Sequence, residues 1–273
     1  MILSDSHMHT CFSTDSESTP ESMIQASIKR GLKSICITDH NDKDYPHPEF
    51  FDEEEPFVFD VQQYFNQLSS FKETYKNAID VRIGIEIGMR EHLVAYYQKL
   101  VDENAFDFVI ASMHTIHGMD PYYPKYFEGK TDEEGYQEVF AETIHMLKLY
   151  DNFDVLGHMD YIVRYGRHQA QEYSYLRFAD YFDEILKLII EKGKGIEVNT
   201  SGFKYGLGFA HPHPDILRRY KELGGEIITI GADGHKPEHI AYDFEKVSAL
   251  LEACGFKYYT EFRAREPIFQ QLP

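Results

Sequence analysis

Seven short runs of β-branched and apolar residues, ILSDSHMH, SICITDH, VRIGIEIG, DFVIASMH, DVLGHMD, GIEVNT and EIITIGADGH, recur along the chain with amphipathic segments between them. Alternating strand and helix implies parallel strands joined by right-handed crossovers. Over 273 residues this predicts an α/β fold whose parallel strands form a closed or nearly closed barrel, rather than two separate sheets. No linker, repeat or low-complexity stretch interrupts residues 1–273, which are expected to form a single domain. The intervening segments carry helix signals. In TPESMIQASIKRG, Thr19 is a cap residue, Pro20 suits the first helical position and Gly31 suits a C-terminal cap. Helices are likewise predicted over VQQYFNQLSSFKETYKN, EHLVAYYQKLVDEN, EEGYQEVFAETIHMLKLYDN, YSYLRFADYFDEILKLIIEKG, PDILRRYKELGG and DFEKVSALLEACG. The acidic, proline-containing YPHPEFFDEEEPF, residues 45–57, reads as a surface loop over one end of the barrel.

The polar residues fall at the ends of the apolar runs. His7 and His9 are two apart, so on a strand they share a face and can reach one ion. The second run ends at His40, the third carries Glu86, the fourth ends at His114, the fifth at His158 and the last at Asp233 and His235. In a parallel barrel all strand C-termini open on one face, with the metal site expected there. GADGH repeats the spacing of HMH, and barrel closure would set those two pairs side by side. Burying Glu86 within GIEIG is costly unless a cation neutralises it. The three cysteines, Cys11, Cys36 and Cys254, have no paired spacing, which argues against a disulfide framework and for nitrogen and oxygen ligands.

Composition narrows the partners. Lys and Arg number 27 against 46 Asp and Glu, a net charge of −19 that repels nucleic acid and anionic membranes. No apolar run is long enough to span a bilayer, and no charged stretch followed by a hydrophobic one opens the chain. A cytoplasmic protein acting on a small molecule is expected, with homo-oligomerisation left open.

Together HMH at 7–9, TDH at 38–40, the glutamate of GIEIG, SMH at 112–114, GHMD at 157–160 and ADGH at 232–235 resemble the PHP family, named for polymerase and histidinol phosphatase domains. The resemblance runs from the first residues to about residue 240, and ASMH and GHMDYIVRYG look most like its histidinol-phosphatase branch in bacterial histidine biosynthesis. It implies a distorted (β/α)7 barrel of seven parallel strands holding three divalent metal ions, zinc, manganese or iron. One ion would take His7, His9, Glu86 and Asp233; a second would share Glu86 and add His114 and His158; the third would take Asp15, His40 and His235. Several relatives have histidine where this chain has Asp15, but a carboxylate oxygen is chemically adequate.

The chemistry this implies is hydrolysis of a phosphate monoester, L-histidinol phosphate, by a metal-bridging hydroxide attacking phosphorus in line. Three divalent ions, less Glu86, Asp15, Asp233 and one hydroxide, leave roughly +2, which suits a phosphate dianion. Asp160, two residues beyond His158, is a candidate general acid or a binder of a cationic substrate group, and His117 is the other candidate acid or substrate contact. Arg164 offers a guanidinium fork to phosphate. Some relatives carry arginine directly after Asn-Thr, where this chain has Ser201; Lys204 is a candidate replacement for that charge. Asn199 faces the site or satisfies turn backbone. His211 and His213 are helix-entry residues or substrate contacts, and His47, His92, His145, His168 and His239 read as surface or packing residues. Tyrosines in YGRHQ and KYGLG offer stacking to an imidazole or amine. The competing readings are a phosphoesterase for another small phosphate or phosphotyrosine, a nuclease domain, opposed by the −19 charge, and a non-catalytic metal-binding module.

Overall fold

The computed structural model describes residues 1–46 and 55–273. In chain order the elements are β1 (Ser4–Asp5), α1 (Pro20–Lys29), β2 (Ser34–Ile37), β3 (His40–Asn41), α2 (Val61–Tyr75), β4 (Asp80–Gly88), α3 (Val94–Asp102), β5 (Phe108–Ser112), α4 (Asp132–Leu149), β6 (Val155–Leu156), α5 (Ala179–Glu191), β7 (Gly195–Asn199), α6 (Ser201–Lys204), α7 (Pro214–Glu222), β8 (Ile228–Gly231), α8 (Val247–Ala253), β9 (Tyr258–Arg263) and β10 (Glu266–Gln271).

The strands pair in parallel in the order β1-β2-β4-β5-β6-β7-β8, with β3 continuing alongside β4 past the end of β2. Each of the seven apolar runs supplies one strand of that path. Beyond β1 and β8 the chain goes on pairing: Ser6 N donates to Ile230 O and Asp233 N to His7 O, both at 2.9 Å, and Met8 bridges Gly234. This seam draws the two ends of the sheet together as a barrel. β2 is wholly buried and β4 nearly so, because helices cover the outside while side chains fill the inside. The helices present one apolar stripe to the sheet. In α5, Phe182, Ile185, Leu186 and Ile189 are buried at a spacing of 3, 1 and 3 residues. Thr19 Oγ1 accepts from Ser22 N, capping α1 as its sequence predicts. Among the described residues no helix is long and apolar enough to cross a membrane.

Of the expected loop over 45–57, residues 47–54, including His47, lie outside the described residues. After α8 the chain forms the antiparallel hairpin β9–β10, for which the sequence gives no turn signal. Ala264 and Arg265 occupy its turn with φ of 48° and 66°, where glycine or asparagine is usual. The strand beginnings hold that turn in place: Ala264 N donates to Asp107 Oδ1 at 3.1 Å, and Arg265 Nε to Asp154 Oδ2 at 2.6 Å. Phe262 stacks on Phe108 at 5.1 Å. The hairpin thus covers the barrel's N-terminal end and leaves the other end open.

Gly231 marks how closely the seam packs, since a Cβ there would collide with His7 Cβ and Glu197 Oε1. Gly231→Ala is therefore expected to destabilise the protein by about 1–3 kcal/mol, the usual cost of overpacking, read as a lowered midpoint in urea unfolding. An unchanged midpoint would contradict this account of the seam.

Candidate active site

The open end gathers side chains from six strand ends around one buried carboxylate. Glu86 on β4 lies level with His40 on β3 and is fully buried. Its Oε2 faces His7 Nε2 and His40 Nδ1, each at 3.1 Å, and His9 Nε2 at 3.5 Å. Its Oε1 faces His158 Nε2 at 3.0 Å and His114 Nε2 at 3.2 Å, and accepts from Ser112 Oγ at 2.6 Å. Asp233 Oδ1 sits 3.4 Å from His9 Nε2. Asp15 Oδ2 sits 3.0 Å from His235 Nε2 and 3.7 Å from His40 Nε2. All nine residues expected as ligands thus converge.

Outer hydrogen bonds orient three of the imidazoles. His7 Nδ1 meets Glu197 Oε1 at 2.6 Å and His114 Nδ1 meets Asp42 Oδ2 at 2.6 Å, so each Nδ1 carries the proton. Ser13 Oγ donates to Asp39 Oδ1 and lies 3.1 Å from His9 Nδ1, which places a proton on that nitrogen too. The three Nε2 atoms therefore turn inward on the lone pairs of Glu86 and Asp233. Only positive charge resolves such a centre, and histidines fixed from behind by carboxylates are a common way of presenting it. The nitrogen and oxygen donor set fits divalent cations.

The titration shifts follow from the same crowding. Burial pushes the Glu86 carboxyl up, but His7, His114 and His40 outweigh it and hold the group well below the usual carboxylate range. Burial pulls His7 down, yet Glu197, Glu86 and Asp233 raise it well above an ordinary imidazole; burial likewise opposes Asp42 and Glu86 at His114, and the carboxylates win. Burial and the neighbouring His235 and His40 hold His9 well below it.

Around this centre opens a cleft of about 750 Å³, lined among others by Arg164, Lys204, Tyr165, Tyr205, Asp120 and His239. Tyr45 and Phe57, flanking the expected surface loop, also line it. Arg164 donates through Nη2 to Ser201 Oγ at 2.9 Å, and Lys204 Nζ lies 3.4 Å from Asp233 O. The expected tyrosines of YGRHQ and KYGLG, Tyr165 and Tyr205, are thus on the cleft wall.

Three other expected site residues lie elsewhere. Asp160 is fully buried and does not line the cleft; it accepts from His211 Nδ1 at 2.6 Å, Tyr173 OH at 2.7 Å and His213 N at 2.8 Å. Burial pushes its carboxyl up, but His211 and these hydrogen bonds prevail and lower it. All three of these contacts turn Asp160 toward His211, Tyr173 and the start of α7 and away from the cleft. His117 is exposed, at φ 50° in the tight turn Ile116–Met119, and is not among the cleft-lining residues. Asn199 is buried and donates to Glu197 Oε2 at 3.1 Å and Asp233 Oδ2 at 3.4 Å, bracing both carboxylates. His213 caps α7 through its ring, as a helix-entry residue. His239, read as packing, stands on the cleft wall.

With this geometry in view, the comparisons are specific. The PHP domain profile matches residues 5–201. The chain belongs to the PHP family. The probable histidinol-phosphatase of Clostridium acetobutylicum is 34% identical over 93% of this chain and 94% of its own length. The histidinol-phosphatase of Lactococcus lactis is 29% identical, over 92% and 91%. A crystal structure of histidinol phosphate phosphatase from Lactococcus lactis, complexed with zinc, L-histidinol and phosphate, superposes with a TM-score of 0.86 at 29% identity, covering 97% of this chain and 98% of that one. Asp233 and His235 lie beyond the segment matched to the PHP profile, and the β8–β1 seam carries them into the cluster.

Sequence reasoning missed two residues of this PHP domain. Asp42 stands two positions after His40, the spacing that drew attention to HMH, and it backs His114. Glu197 is a charge inside the buried run GIEV, the same signal that singled out Glu86; it holds His7 Nδ1 and accepts from His158 N at 3.0 Å.

Glu197→Gln is expected to weaken metal retention about 10–100-fold, measured as metal left after graded chelator; unchanged retention would remove Glu197 from this role. A second expectation concerns pH. The carboxylates that raise His7 and His114 favour a proton on each inward Nε2, and an incoming cation must displace it. Affinity should therefore fall as pH drops below their pKa, and loading should release protons, detected calorimetrically in buffers of different ionisation enthalpy. Loading without proton release would contradict the assignment of these two rings.

Proposed function

We propose that the chain is a metal-dependent phosphomonoesterase that hydrolyses L-histidinol phosphate to L-histidinol and phosphate, as one domain over residues 1–273. The observation that carries this reading is the likeness, over 97% of the chain, to a structure holding zinc, L-histidinol and phosphate. His7, His9, Glu86 and Asp233 would hold one ion, Glu86, His114 and His158 a second, and Asp15, His40 and His235 a third. Ions so held supply Lewis-acid charge and a hydroxide nucleophile near neutral pH.

The chain's own residues then have defined tasks. Glu197 and Asp42 keep the Nε2 lone pairs of His7 and His114 turned inward. Their two carboxylates also cancel the formal excess of roughly +2, and Arg164 with Lys204 restores roughly the same amount. Those two cations are the phosphate-binding groups of this reading. The aromatic wall and Asp120 suit the ammonium and imidazole that accompany the phosphate in histidinol phosphate. An acidic surface of −19 favours this small, partly cationic substrate over an oligonucleotide.

The test is phosphate release by metal-replete protein from L-histidinol phosphate, phosphotyrosine, a simple aryl phosphate and an oligonucleotide, side by side. The expected kcat/KM for histidinol phosphate exceeds that for the others by on the order of 100-fold or more. Comparable values across the panel would leave a general phosphoesterase, and preference for the oligonucleotide would overturn the reading.

A further inference from the structure

Arg164 and Lys204 pose a problem the metal cluster does not solve. They come from separate stretches, Arg164 from the turn after β6 and Lys204 from the end of α6, yet line the same cleft. Two like charges there repel, and each long side chain loses rotamer freedom if held in place. Arg164 is held by Ser201 Oγ at 2.9 Å; that hydroxyl passes its own proton to Asn199 Oδ1 at 2.5 Å, linking the guanidinium to the brace of Asp233. For Lys204 the polar contact is the longer one to Asp233 O, at 3.4 Å.

One ring serves both cations. Arg164 Cζ lies 4.4 Å from the centroid of Tyr205, and Lys204 Nζ lies 5.1 Å from the same centroid. Tyr161 and Tyr165 flank the guanidinium at 5.6 and 5.9 Å. An aromatic face attracts a cation without neutralising it, so charge stays available where a carboxylate partner would cancel it. Arg164 Nε is moreover buried without a hydrogen-bond partner, a donor still to be satisfied. A planar guanidinium with a spare N–H beside an ammonium matches the oxygens of a tetrahedral oxyanion.

We propose that Tyr205 is a positioning residue whose ring holds Arg164 and Lys204 together as a two-cation clamp for a phosphate-type oxyanion. The ligand class rests on the phosphomonoesterase reading. In this role Tyr205 acts through the two cations that lie against its ring. Its side chain is 52% exposed, so replacing it leaves the core intact.

The experiment is calorimetric titration of metal-replete protein with inorganic phosphate, on the native chain, Tyr205→Phe, Tyr205→Leu and Lys204→Met, with metal content measured on each. Tyr205→Phe keeps the ring and is expected to bind phosphate within about twofold of the native chain, whereas Tyr205→Leu binds about 5–30-fold more weakly at unchanged metal content. In the Lys204→Met background the Tyr205→Leu effect shrinks, because half of what the ring holds is gone. Equal weakening in Phe and Leu would assign the effect to the hydroxyl and overturn the clamp, as would no weakening in Leu or a loss of metal with it. A native chain that binds phosphate but leaves histidinol phosphate untouched would sink the substrate reading alone. One that binds metal but no phosphate would sink the clamp.

Discussion

Everything at the open end of this barrel follows from burying Glu86. A carboxylate with no exposure, in the middle of a β-strand, is tolerated only if positive charge surrounds it. Five imidazole nitrogens lie within 3.5 Å of its two oxygens. Imidazoles alone cannot satisfy this centre without taking up protons, whereas cations between the donors satisfy all of them together. The barrel is the device that makes such a convergence affordable, because its strands all end on one face and each contributes one or two ligands from a rigid base.

The second layer explains why the cluster has one arrangement. Glu197 reaches His7 from one side and the backbone of His158 from the other, so a single carboxylate ties the first strand end to the fifth. Asp42 does the same for His114. The glycines that flank these groups are part of the design: Gly231 leaves room for His7 and Glu197, and Gly88 leaves room for Asp42. Arg164 is tied to the same scaffold through Ser201 and Asn199, so the cationic wall of the cleft and the histidine–carboxylate cluster share one network.

Much of this was legible in the sequence. The alternation of runs predicted the strand order, and the recurrence of histidine or carboxylate at run ends predicted the convergence, because both depend on local pattern and on a topology with few alternatives. What was not legible depends on contacts across the barrel. Asp160 sits two residues from His158 and so looked like a partner in chemistry, but the chain turns immediately after His158 and points it at His211. His117 looked close to His114 in sequence, yet Ile116–Met119 folds back as a tight turn that carries it into solvent. Glu197 was missed although it carried the signal used for Glu86, and the closing hairpin was missed because Ala264 and Arg265 adopt left-handed backbone with no glycine to announce it.

The measurement that bears most directly on the central claim is anomalous X-ray scattering, collected at the absorption edges of zinc, manganese and iron, from crystals of metal-replete protein. The account predicts scattering peaks about 2.0–2.3 Å from the inward Nε2 atoms of His7, His9, His114 and His158, with Glu86 shared between two of them. Strong diffraction with no peak at Glu86, its oxygens instead hydrogen-bonded to protonated imidazoles, would contradict it.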